Sequence, residues 1–111
     1  MLEAIFGNQN IEKALYYLFI NEKTYASELS LRFSSALSPW QKALERLEEG
    51  GILVSTLVGK TRLFTFNPRY FFLSELKSLL AKAYKTLPTK IKEKYYEPKI
   101  RKRPRKKGKP S

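Results

Sequence analysis

The chain has 111 residues, with 22 Lys/Arg against ten acids, a net charge of +12 and neither Cys nor His. A zinc site, a Ser-His-Asp triad and a Cys-His pair are therefore excluded within it, and the remaining Glu, Lys, Tyr and Ser are a thin basis for an enzyme. One domain with a modest core is expected at this length. With no apolar run near the ~18 residues of a membrane helix and no signal-peptide pattern at its start, the chain is expected to be cytoplasmic, without cofactor or metal.

Leu2, Ile5 and Phe6 form a short apolar lead, broken by Gly7-Asn8. Asn8 or Asn10 is placed to cap a first helix over about 10–21, whose core stripe is Ile11, Ala14, Leu15 and Leu18. Thr24 is expected to cap a second helix over about 25–33 that buries Ala26, Leu29 and Phe33. The connection Ser34 to Leu37 is tight, with Leu37 expected to plug the corner between helices. Ser38-Pro39-Trp40-Gln41 reads as the start of a third helix, with Ser38 as cap, Pro39 in the first turn and Gln41 completing a capping box. Trp40, Ala43, Leu44 and Leu47 make its apolar stripe; Ser38, Lys42, Glu45 and Glu49 face the other way, flanked by Gln41 and Arg46. Gly50-Gly51 stops it.

Ile52 to Val58 and Thr61 to Phe66 are β-rich and flank the turn signal Gly59-Lys60, which predicts a hairpin. After Asn67-Pro68, a long helix is expected over about 71–87, where Leu73, Leu76, Leu80, Ala83 and Leu87 keep heptad spacing. Residues 88–98 read as a charged linker, in which Thr89 to Glu97 can continue as a frayed, charged helical piece. Residues 99–111 hold eight Lys/Arg and no acid, leaving fourteen basic and ten acidic residues, a net +4, for the body. Such a tail, with only Ile100 apolar, is expected to be disordered alone and to seek a polyanion. The domain plan is thus 1–87, linker 88–98 and tail 99–111.

A helix with a polar outer face, followed by a hairpin with a basic tip, suits a DNA major groove and its flanking backbone. Ser38, Gln41 and Lys42, near the helix start, are the candidate base contacts. Ser35, Arg46, Lys60, Thr61 and Arg62 are the candidate backbone or minor-groove contacts. Arg101, Lys102, Arg103, Arg105, Lys106 and Lys107 are the candidate non-specific tail contacts. Glu45, Glu48 and Glu49 oppose deep docking among phosphates, and Glu45 has two alternative roles: accepting from a cytosine amine or pairing with Lys42. Leu2, Ile5, Phe6, Leu76, Leu80 and Ala83 are the candidate homodimer interface. The aromatic residues do not alternate with basic ones as a single-strand stacking platform would.

The chain resembles the small prokaryotic winged helix-turn-helix regulators of the ArsR/MarR-like superfamily. The resemblance rests on Phe6-Gly7-Asn8, on Tyr25-Ala26-Ser27-Glu28-Leu29, on the stretch Leu44 to Leu53 with its Leu-Glu-Glu-Gly-Gly core, and on Gly59 to Phe64 with Asn67-Pro68. It covers about residues 5–87. It implies an α+β, mostly helical fold of three helices, a two-stranded wing and a C-terminal helix. It also implies a recognition helix from Ser38, a wing on the adjacent minor groove or backbone, and a dimer made by the terminal helix. Metal-sensing members carry Cys or His ligands, so metal sensing does not carry over. The expected function is sequence-specific binding of double-stranded DNA by a dimeric transcriptional regulator. The alternatives are a winged-helix protein-interaction module, antitoxin-like or partnered with a nucleotidyltransferase, and an RNA-binding accessory protein.

Overall fold

The computed structural model describes residues 1–98. The element order is α1 (Glu3–Phe6), α2 (Gln9–Asn21), β1 (Lys23–Thr24), α3 (Ala26–Arg32), α4 (Leu37–Glu49), β2 (Leu53–Val58), β3 (Thr61–Phe66), α5 (Leu73–Lys85) and α6 (Thr89–Ile91), which runs into a wider π turn over Lys92–Tyr96. The tail cations named above lie outside the described residues.

The Asn8 side chain caps α2, accepting from the backbone N–H of Asn10 (2.7 Å) and Ile11 (3.2 Å). The helix then presents Ile11, Ala14, Leu15 and Leu18 to the core, as its spacing predicts. Glu12 is buried on the same helix. Its carboxylate accepts from the Tyr16 hydroxyl (3.0 Å) and the Leu2 backbone N–H (2.9 Å), and lies 3.5 Å from the Met1 ammonium. These partners offset the cost of burying a charge and hold the apolar lead against α2.

Two helix starts differ from expectation. Thr24 does not cap α3, because its backbone is drawn into the sheet opposite Phe64, and its hydroxyl donates to Glu28 (2.8 Å). Lys23 and Thr24 thereby add a third strand to the wing, in the order β1-β3-β2, all antiparallel. Helix α4 begins at Leu37, one residue before the expected cap, with no side-chain cap at all. Its start is fixed by Trp40 instead: the buried indole stacks on Phe33 (centroids 5.1 Å apart) and donates to Ser35 Oγ (2.8 Å). Leu37 consequently does not plug the corner. It is 41% exposed, and the Phe33–Trp40 stack occupies the corner.

The hairpin matches its sequence signal. Leu53 pairs with Phe66 and Val58 with Thr61, and Gly59 takes the positive φ of 64° that a two-residue turn requires. Helix α5 buries Leu80, Ala83 and Tyr84 against α2.

The largest departure is at residues 88–98. Read as a charged linker, this segment folds back on the body. Tyr96 is 3% exposed and makes edge contacts with Tyr16 (5.7 Å), Tyr84 (5.8 Å) and Phe33 (5.7 Å). Tyr95 stacks flat on Phe33 (4.8 Å). Asn21 Nδ2 donates to the Tyr96 carbonyl (2.7 Å) and Arg32 Nη1 to that of Tyr95 (3.1 Å). The charged residues around the two tyrosines hide this anchor in the sequence.

Candidate nucleic-acid interface

The wing and α4 enclose a groove of about 430 Å³. Leu37, Gln41 and Glu45 line one wall, Lys60, Thr61, Arg62 and Phe64 the other, and Ala26 and Ser27 from the start of α3 close the end. Leu37, Gln41 and Glu45 fall four residues apart, so they share one side of α4. Trp40, Ala43, Leu44 and Leu47, centred about 110° around the helix from that row at about 100° per residue, are buried and fix its rotation. On the wing, Phe64 is buried under the hairpin, which leaves Lys60, Thr61 and Arg62 exposed at the tip.

Four residues expected to contact DNA, Gln41, Lys60, Thr61 and Arg62, thus come together in one groove. Ser38, Lys42 and Arg46 do not line it. They remain exposed on the flank of α4, turned roughly 60–140° from Gln41 at about 100° per residue. The Ser35 hydroxyl is occupied by the Trp40 indole. No ion pair joins Lys42 to Glu45; among the described residues the single ion pair is that of Met1 with Glu12. Among the described residues, Lys60, Gln41 and Glu45 make no side-chain hydrogen bond in this groove, which leaves their polar heads facing it.

Arg62 is tethered. Its Nη1 donates to Ser55 Oγ (2.9 Å), and that hydroxyl donates to Glu48 Oε2 (2.6 Å). The relay crosses from β3 through β2 to the C-terminal half of α4, so the wing cation and the helix are registered to each other. Leu57, opposite Arg62 in the hairpin, is exposed and leaves the guanidinium in solvent. Sequence reasoning gave no role to Ser55 and read Glu48 only as an obstacle. The signal was available in part: Ser55 lies directly opposite Phe64, two residues along β3 from Arg62 and on the same face.

The residues expected at a dimer interface are mostly taken up by the monomer's own core. Leu2, Leu80 and Ala83 are buried in the monomer's own core, and Phe6 and Leu76 are half-buried against it. These residues close the small core around α2. Of the six, Ile5 alone is exposed.

Two solved structures share the fold of this chain. The adhesin competence repressor AdcR from Streptococcus pyogenes matches over 76% of this chain with a TM-score of 0.55 and 14% identity, and ZitR from Lactococcus lactis, in its apo form, over 83% with a TM-score of 0.56 and 15% identity. The fold is a winged helix-turn-helix. This winged helix spans 63% of the AdcR chain and 70% of the ZitR chain. No protein-family model matches the sequence, and no curated protein matches it. In the winged helix, α3 and α4 are the helix-turn-helix pair and β2–β3 the wing. Among its described residues no helix is long and apolar enough to cross a membrane.

Proposed function

We propose that the protein binds double-stranded DNA through the groove between α4 and the wing, as a regulator of the ArsR/MarR-like kind. The observation that carries this reading is the convergence of Gln41, Lys60, Thr61 and Arg62 on that groove. An α-helix fits a major groove of about 12 Å, and Gln presents the donor and acceptor that match an adenine edge. Lys60 and Arg62 on the hairpin tip supply cations for the flanking phosphates. Lys42 and Arg46, exposed beyond the groove, suit the opposite phosphate wall rather than bases.

The tail, with eight Lys/Arg and no acid in residues 99–111, adds sequence-independent attraction. A homodimer would double the recognition surface and impose two-fold symmetry on the site. Its interface would use exposed apolar side chains such as Ile5, Phe72 and Leu79, since Leu80 and Ala83 are already consumed by the core. Selection from a pool of random duplexes tests the reading. Enrichment of a two-fold symmetric motif is expected; recovery of duplexes without any shared motif would contradict it.

A further inference from the structure

Leu37 calls for an explanation that the core does not give. It is a large apolar residue, 41% exposed at the mouth of the groove, although the corner it adjoins is already filled by Phe33 and Trp40. It stands four residues before Gln41, which stands four before Glu45, and all three line the groove opposite the wing tip. Glu45 is equally unexplained, because a free carboxylate facing Lys60 and Arg62 weakens the attraction of the groove for phosphates unless it meets a donor.

We infer that Leu37, Gln41 and Glu45 form a base-reading row that selects a thymine methyl, an adenine edge and a cytosine amine, in that order along α4. This rests on the duplex-DNA reading above. The row covers about 12 Å of helix at 1.5 Å per residue, the scale of a few base steps across the major groove. Each side chain suits one edge. Leu37 offers only apolar contact, and the thymine C5-methyl is the apolar feature of the groove. Gln41 donates and accepts at once, as adenine N7 and N6 require. Glu45 only accepts: the N7 and O6 of guanine and the O4 of thymine repel it, and adenine sets an acceptor beside its one donor. The cytosine N4 amine is the donor that carries no acceptor on the same base edge.

The experiment uses the full chain and the motif selected by the wild type. Duplexes are made with uracil replacing each thymine singly, which removes the methyl alone, and with each cytosine or adenine replaced singly by the other bases. The expected result is one position where uracil weakens the wild type several-fold and leaves Leu37→Ala unaffected. Cytosine preference of roughly tenfold or more is expected at a second position, lost in Glu45→Gln but kept in Leu37→Ala. A third position should lose its adenine preference only in Gln41→Ala. Because all three side chains lie outside the core, the variants should keep the wild-type circular dichroism and melting curve. Variants that keep every preference, or lose affinity equally for all duplexes while the wild type discriminates, would overturn the row. A wild type that discriminates among no duplexes would overturn the duplex reading itself, and the row with it.

Discussion

Replacing Tyr96 by Ala should cost the fold about 3–5 kcal/mol, the range for truncating a buried aromatic side chain. The upper part of that range applies here. Tyr96 is 3% exposed and meets three rings, Tyr16, Tyr84 and Phe33, at centroid distances of 5.7, 5.8 and 5.7 Å. Such pairs each add about 0.5–1.5 kcal/mol beyond the area they bury. Losing the ring also loosens the segment whose carbonyls at Tyr95 and Tyr96 accept from Arg32 and Asn21, bonds worth about 1 kcal/mol each net. Urea unfolding followed by circular dichroism measures the effect. With a slope of ~1.5 kcal/mol per molar, a loss of ~4.5 kcal/mol lowers the midpoint by about 3 M. Tyr96→Phe keeps the ring and should shift the midpoint by far less. A Tyr96→Ala midpoint within a few tenths of a molar of wild type would refute the packing argument.

Three further outcomes are expected. Ser55→Ala breaks the bridge between Arg62 and Glu48 and should weaken binding to selected and random duplexes alike, by several-fold in fluorescence anisotropy; loss confined to the selected duplex would mean that the relay does not act through the backbone contact. Alkaline stability should fall as pH rises above 10. Burial, helped by the Glu28 carboxylate, pushes the Tyr17 hydroxyl up to about 12. Burial, with Glu12 beside Tyr16 and Glu97 beside Tyr84, raises Tyr16, Tyr84 and Tyr96 from the ordinary 10.0 as well. The unfolded chain therefore sheds phenolic protons that the folded chain keeps, so the stabilisation is complete below pH 10 and is lost upward from there. Denaturant midpoints that stay level from pH 10 to about 12 would contradict this. Cutting the chain after Pro98 should flatten the log–log salt dependence of duplex binding by about 3–6, because each phosphate contact contributes about 0.9; an unchanged slope would assign the tail to another partner.

Much of this architecture is legible in the sequence, for identifiable reasons. Helices α2, α4 and α5 have apolar stripes at helical spacing, and Gly59-Lys60 between two β-rich runs fixes the hairpin and hence the basic tip. What escapes is what depends on distant partners. Thr24 has the chemistry of a cap, but sheet pairing with Phe64 claims its backbone. Ser38-Pro39 has the pattern of a helix start, but the Trp40 stack on Phe33 accompanies a boundary two residues earlier, with Ala36 at the cap position and Leu37 first in the helix. Heptad spacing in α5 marks an apolar face without saying whether the monomer or a second copy covers it; α2 covers Leu80 and Ala83. Tyr95 and Tyr96 are embedded among lysines and glutamates, so local composition points away from their burial. At the candidate interface, hydrogen-bonding chemistry picked out Gln41 and gave a cytosine amine as one of two roles for Glu45, whereas the role inferred for Leu37 needs the position of the wing across the groove.

On the proposed DNA reading the groove separates base reading from backbone holding, and affinity measurements on two duplexes distinguish the two roles. Wild type, Gln41→Ala and Arg62→Ala are titrated against the selected motif and against a random duplex at one salt concentration. Gln41→Ala should lose about 1–3 kcal/mol on the motif alone, and Arg62→Ala should lose similar factors on both duplexes. Equal losses from Gln41→Ala on both duplexes, or no loss from either variant, would contradict the account.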